Sequence, residues 1–323
     1  MNYGFWAKLP KPFFVLAPMY DVTDVAFRHV VSQAGAPDVY FTEFVSTDGL
    51  MSQGQSKLVH HLLREDDPTP LVAQIFGAHP EKFTGTAELI QSLGGFSGID
   101  INMGCPDKNI IKGGSCGALF RTPELARDII LATKAGAGSL PVSVKIRIGD
   151  TQIDWQHWIK TLLEATPAAI SIHLRTRKEM SKVPAHWELM PDIVQFIHEH
   201  TTAETRPMII GNGDVLTTAE GTEKVVATGC DGIMIGRGIF QNPWTFAPDA
   251  DRPHCIQEKA ALLLLHMQKY EQYFKETKPF EPLKRFYKIY MNGFPNAAEI
   301  REELYTAEDA PALERILRSH KLL

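Results

Sequence analysis

Eight short runs of apolar and β-branched residues recur along the chain, each bounded by polar or glycine-rich sequence. They are residues 13–19 (FFVLAPM), 39–44 (VYFTEF), 71–77 (LVAQIFG), 98–104 (GIDINMG), 142–149 (VSVKIRIG), 169–175 (AISIHLR), 207–213 (PMIIGNG) and 232–238 (GIMIGRG). Runs of this length and composition predict buried strands. Helical patterns fill most of the gaps. Residues 24–33 stop before Gly35, and residues 80–93 open on a proline and stop at Gly94. Residues 123–135 do the same before Gly136, and residues 155–165 and 217–228 follow later in the chain.

Eight strands alternating with helices over this span predict an α/β fold of the (β/α)8 TIM-barrel class. The alternative, a doubly wound sheet of the dinucleotide-binding kind, lacks support because no GxGxxG follows the first strand. The texture changes after residues 243–253 (PWTFAPDADRP), a proline-rich stretch that reads as a linker. Beyond it, Ile256, Ala260, Leu263, Leu264, Met267, Tyr270 and Phe274 fall on one face of a helix over 256–275. Residues 283–291 and 311–317 predict two more helices. The expected organisation is therefore a barrel over 1–247 and a small C-terminal helical domain over 254–323. On composition alone the tail reads as a structural cap.

With 323 residues, 44% of them hydrophobic, the chain has ample material for both units. No apolar run approaches membrane-spanning length, and residues 260–265 form the longest. MNYGFWAKLPKPFF has no long apolar stretch after its lysines, so no signal peptide is predicted. Cys105, Cys116, Cys230 and Cys255 match no zinc spacing, and the expectation is a reduced, cytoplasmic protein without metal. The formal net charge of −5 argues against a broadly basic nucleic-acid binder, though not against a local basic patch. From Asp251 onward 12 basic and 11 acidic residues nearly balance, so the acidity resides in the barrel.

In a barrel of this class, function sits where the strands end. Gln74, Asn102, Lys145, Arg147, His173, Asn212 and Arg237 stand at such ends in otherwise apolar strands. One alone would read as a satisfied core residue. A series of them predicts a polar ring around one ligand pocket. The last two strands run into the glycine-rich turns Gly211-Asn212-Gly213-Asp214 and Gly236-Arg237-Gly238, where barrels frequently bind phosphate. Lys145 and His173, on neighbouring strands, offer a cation and a donor to the edge of a flavin ring that gathers negative charge on reduction. Gln74 is available to the ring's other polar edge. A sugar-phosphate isomerase would use the same phosphate loops, so these residues alone leave the ligand open. The loop after the fourth strand carries Asn102-Met103-Gly104-Cys105-Pro106 and then Lys112-Gly113-Gly114-Ser115-Cys116-Gly117-Ala118. Cys105 falls over the barrel mouth, and a thiol near its usual pKa of about 8.5 is protonated at neutral pH and able to donate. The alternative is a small buried hydrophobe. Cys116 reads as that or as a backup thiol; Cys230 and Cys255 read as structural.

The ordered motifs LAPM, TEF, QIFG, NxGCP, KGGxxGAL, VKIR, HxRT, NGD and IGRG, spread over residues 13–244, resemble the tRNA-dihydrouridine synthase family. NxGCP followed by KxR is the discriminating pair. The tail is similar, more loosely, to that family's helical tRNA-binding domain. The resemblance implies FMN contacts at Pro18, Met19, Gln74, Lys145, His173, Asn212, Gly213, Asp214, Gly236 and Arg237. It places Asn102 and Arg147 near the uracil and makes Cys105 the general acid. It also implies NADPH as reductant, hydride delivery from the flavin to uracil C6, protonation of C5 by the cysteine, and tRNA as substrate. The target base would have to leave the RNA stack, which calls for a deep pocket. Two positions depart from the family pattern: Leu174 replaces the glycine of HGRT, and Ser181 stands where an aromatic residue is expected. Both bear on which uridine is chosen. An FMN barrel acting on a free pyrimidine such as dihydroorotate and a tRNA-binding protein without reductase activity are the competing readings. A monomer is the default expectation.

Overall fold

The computed structural model describes residues 3–323. Its strands are β1 (Phe13–Leu16), β2 (Tyr40–Phe41), β3 (Val45–Ser46), β4 (Leu71–Phe76), β5 (Gly98–Asn102), β6 (Val142–Arg147), β7 (Ala169–His173), β8 (Met208–Asn212) and β9 (Gly232–Ile235). They run parallel in the order β1-β9-β8-β7-β6-β5-β4-β2, with β3 also on β4. The parallel bridge Val15↔Val39 brings the two ends together and closes the barrel. Of the predicted second strand, 39–44, only Tyr40–Phe41 forms a strand, and β3 follows outside that range. Between the two, the Glu43 carboxylate is fully buried and accepts the Asp21 amide at 2.6 Å.

The apolar runs predicted the strands because both faces of each strand are covered. Toward the barrel axis, Trp6, Phe13, Val15, Phe41, Val72 and Met234 share one cluster, with Trp6 in a 3₁₀ turn before β1. Outside lie α1 (Val25–Gly35), α2 (Pro80–Leu93), α3 (Pro123–Gly136), α4 (Trp155–Glu164), α5 (Met190–Glu199) and α6 (Thr218–Thr228). Asp24 and Thr217, read as first helical residues, are N-caps; their side chains accept the amides of Phe27 and Glu220. Helix α5 falls in a gap where no helix was predicted. Its signal was present: Pro191 suits the first turn, and Met190, Ile193, Val194 and Ile197 are buried at helical spacing.

The tail comprises α7 (Ile256–Phe274), α8 (Ala297–Leu304) and α9 (Ala310–Ser319). The predicted helix over 283–291 is instead a 3₁₀ segment (Glu281–Phe286) running into one turn of α-helix (Tyr287–Tyr290), and α8 was not predicted. The proline-rich stretch is not a loose tether. Trp244 and Ala247 are buried in a cluster that joins Val25, Ala26 and Val30 of α1 to Ala260, Leu263 and Met267 of α7. Glu65 adds a polar clasp, accepting from Lys269 at 2.9 Å and Tyr273 at 2.6 Å. Among the described residues, no helix is long and apolar enough to cross a membrane.

Candidate active site

Parallel strands deliver their last residues to one end of the barrel, and a cavity of roughly 290 Å³ opens there. Lining it are Pro18 and Met19 after β1, Asn102 and Cys105 from β5 and its loop, Lys145 and Arg147 of β6, and His173 of β7. Asn212, Gly213 and Asp214 follow from β8, and Gly236 and Arg237 from β9. Gln74 is the predicted site residue that the structure does not bring to the wall. It pairs in register with Asp100, whereas Asn102 pairs with Lys145, which places Gln74 one layer deeper. Its amide is engaged there, donating to Asp100 at 2.7 Å and accepting from Asn102 at 3.1 Å.

That layer is a support. Asp100, which sequence reasoning missed, also accepts from Ser143 at 2.7 Å, and burial pushes its carboxyl up to about 6. Above it, the Asn102 carbonyl oxygen accepts the amides of Gly104 and Cys105, both at 3.0 Å. Asn102 therefore shapes the turn that presents Cys105, and one amide hydrogen remains to it for a ligand. Arg147 ties the same turn to the neighbouring loop, donating to the carbonyls of Gly104 at 2.8 Å and Thr176 at 3.0 Å.

Cys105 is not an ordinary thiol. A hydrogen bond from Cys116 draws its pKa down to about 7 against the opposing effect of burial, and the Asp107 amide adds to the pull. The fully buried Cys116 is itself pushed up by desolvation, so it is the partner that keeps its proton. The 3₁₀ turn Cys116–Arg121 brings the two together, with the Gly117 amide on the Cys105 carbonyl at 3.3 Å. Cys116 is thus the buried partner of the Cys105 thiol. Cys230 is buried beside Thr228, and Cys255 is an N-cap of α7.

The strands after β5 make their part of the wall cationic. Lys145 donates to Asn212 at 3.1 Å, and loss of hydration lowers it to about 8. His173 faces Lys145, Arg147 and Arg175, and burial together with those charges holds it neutral. Its Nε2 lies 3.2 Å from an Arg175 nitrogen that can only donate, so Nε2 accepts and the ring proton sits on Nδ1. Arg175, a second omission, also pairs with the Asp214 carboxylate, which meets Arg237 at 2.8 Å from its other side. Its signal was the H-x-R spacing, which places a second polar residue just past the strand end. Burial opposes ionisation of Asp214, but the Arg175 hydrogen bond overcomes it and keeps the carboxyl below its usual range. Gly213, at φ +133°, has no room for a side chain because a Cβ would meet that of Ala185 at 2.7 Å. Leu174 is fully buried, and Ser181 is exposed on the following loop. Among the described residues, no cluster of His, Cys, Asp or Glu could hold a metal ion.

A family model described as dihydrouridine synthase (Dus) matches residues 15–321. The chain belongs to the dihydrouridine synthase family. It is an enzyme, and the match runs through the helical tail as well as the barrel. A probable tRNA-dihydrouridine synthase of Staphylococcus aureus (strain MRSA252) is 44% identical, covering 98% of this chain and 95% of that protein. Probable tRNA-dihydrouridine synthase 2 of Bacillus subtilis (strain 168) is also 44% identical, covering 98% and 96%. The fold alone is shared with more distant barrels. A structure of TcOYE with pHBA superposes with TM-score 0.51 at 10% identity, over 82% of this dihydrouridine synthase and 95% of that chain. Histamine dehydrogenase from Rhizobium sp. 4-9 gives TM-score 0.50 at 13% identity, over 79% and 48%.

Proposed function

We propose that this dihydrouridine synthase reduces a uridine of tRNA to 5,6-dihydrouridine, with FMN held in the barrel mouth, NADPH as reductant and Cys105 as proton donor. The observation that carries the reading is that one cavity is lined both by Lys145, Arg175 and Arg237 and by the Cys105 thiol. Lys145 has lost water and has a single hydrogen bond, to Asn212, so its ammonium fits an anionic ring edge. Gly236 fits a phosphate-bearing ligand, because the space where its Cβ would stand is free to 3.5 Å, as far as Ala17. Gly213, the Asp214 backbone and Arg237 would complete that end, and Pro18, Met19 and His173 would flank the ring. Bound there, FMN would supply the hydride chemistry at uracil C6. Cys105 holds a proton at Sγ for C5, and a donor near pKa 7 matches neutral operating conditions. Arg147 keeps the Cys105 turn in place and, with the free Asn102 amide hydrogen, orients the base. Gln74 enters as the support of Asn102. The names of the relatives supply tRNA as substrate.

The purified protein should be yellow and release FMN on heating. Cys105→Ala should retain the flavin and its reduction by NADPH, yet form no dihydrouridine in a single turnover on unmodified tRNA. Near-normal product from that variant would remove Cys105 from the chemistry. A protein that cannot be reconstituted with FMN would end the reading.

A further inference from the structure

A continuous line of rings leaves the catalytic cavity on the side of the tail. Phe44 forms part of the cavity wall, and the Tyr20 ring lies 5.4 Å from it, centre to centre. His61 follows at 5.8 Å from Tyr20, then His60 at 4.0 Å and Phe274 of α7 at 6.2 Å. The ammonium of Lys278 sits over the Phe274 ring at 4.5 Å. Arg285 of the tail donates to the Asp21 carbonyl, immediately beyond Tyr20.

Within this line Tyr20 alone is a large aromatic left in water, with 54% of its surface exposed. A lone exposed tyrosine needs no explanation, but this one is held. The buried Glu43 accepts the amide of Asp21, and its other oxygen meets His61 at 3.1 Å, so one carboxylate positions both the chain beside Tyr20 and the ring beneath it. A flat, prepaid aromatic face beside a pocket for an extruded base is what single-stranded RNA uses to stack.

We infer that Tyr20 is the stacking platform for the nucleobase adjacent to the target uridine, carrying the RNA strand from the cavity mouth toward Lys278 and Arg285. The inference rests on tRNA being the substrate. The ring accepts any base, so it contributes position and affinity rather than base identity. Asp21, exposed beside the ring, has Arg285 at its own carbonyl, so the strand meets a cation as it passes.

The experiment is steady-state kinetics of the FMN-loaded full chain on an unmodified tRNA transcript. Tyr20→Ala, Tyr20→Phe and Tyr20→Trp are compared with wild type, and flavin content serves as the control for folding. Tyr20→Ala should raise KM for tRNA about tenfold, the scale of one lost stacking contact, with a smaller effect on kcat. Tyr20→Phe and Tyr20→Trp should restore KM, since the ring face and not the hydroxyl is used. An alanine variant with wild-type KM overturns the inference, and so does a phenylalanine variant as impaired as alanine. Should wild type itself form no dihydrouridine, the functional reading falls and takes this inference with it; product from wild type with no effect at Tyr20 removes the inference alone.

Discussion

Two thiols, Cys105 and Cys116, lie together at the mouth of the barrel. Cys116 cannot ionise readily where it is buried, so it donates to Cys105 and stabilises the thiolate of its neighbour. The sign of a substitution follows. Removing the donor in Cys116→Ala destabilises the Cys105 thiolate, and its pKa should rise from about 7 toward the usual thiol value near 8.5. The pH midpoint for alkylation of Cys105 by iodoacetamide should move up by about one unit, with alkylation at pH 7 correspondingly slower. On the proposed role of Cys105, the protonated donor is lost as pH rises through about 7 in the wild type, and in Cys116→Ala single-turnover product formation should persist to higher pH. An unchanged midpoint would mean that the hydrogen bond does not tune the thiol. Cys105 is legible in the sequence but its lowered pKa is not, because the contact with Cys116 depends on how the loop folds back.

At the level of elements, the seam between α1 and α7 decides how barrel and tail behave. Leu263 is fully buried in it, together with Ala260, Met267, Val25, Ala26 and Val30. Leu263→Ala should cost about 2–5 kcal/mol of stability, the range for a buried leucine whose cavity only partly collapses. Thermal unfolding followed by flavin fluorescence would show it, because loosening α7 loosens a barrel helix. If instead the barrel keeps its midpoint while only tail helicity melts earlier, the two units are energetically separate. Simply ending the chain near Pro248 would uncover Val25, Ala26 and Val30 to water, so deletion confounds recognition with folding. The helical periodicity of 256–275 was plain in the sequence; that its apolar face lies on α1 was not, since periodicity gives a face but no partner.

Over the whole molecule, a formal charge of −5 must be reconciled with the polyanionic substrate proposed above. The folded tail shows how its cations divide. Lys284 is engaged by Glu281 at 2.7 Å, and Arg318 by Glu314 at 2.7 Å. Lys288, Arg315 and Lys321 are exposed. Changing those three to glutamate should weaken tRNA binding and flatten its salt dependence, each lost phosphate contact removing about 0.7–0.9 from the slope of log K against log salt. Filter binding across a salt series would measure this, and an unchanged slope would return the tail to the role of a cap.

The strands, most helices and nearly the whole ring of cavity residues were legible in the sequence, because burial on both faces writes apolar runs and a parallel barrel sends every strand end to one mouth. Folding decided what depends on register and long-range approach. Gln74 fell one layer below the cavity because β4 pairs it with Asp100. Arg175, two residues past a strand-end histidine, became the donor that fixes the tautomer of His173. Tyr20 became a held ring only because Glu43 and His61, distant in the chain, meet beside it. A sequence records which side chains are polar and how they are spaced, whereas pKa, tautomer and the partner of each hydrogen bond are set by neighbours that only the closed barrel brings within reach.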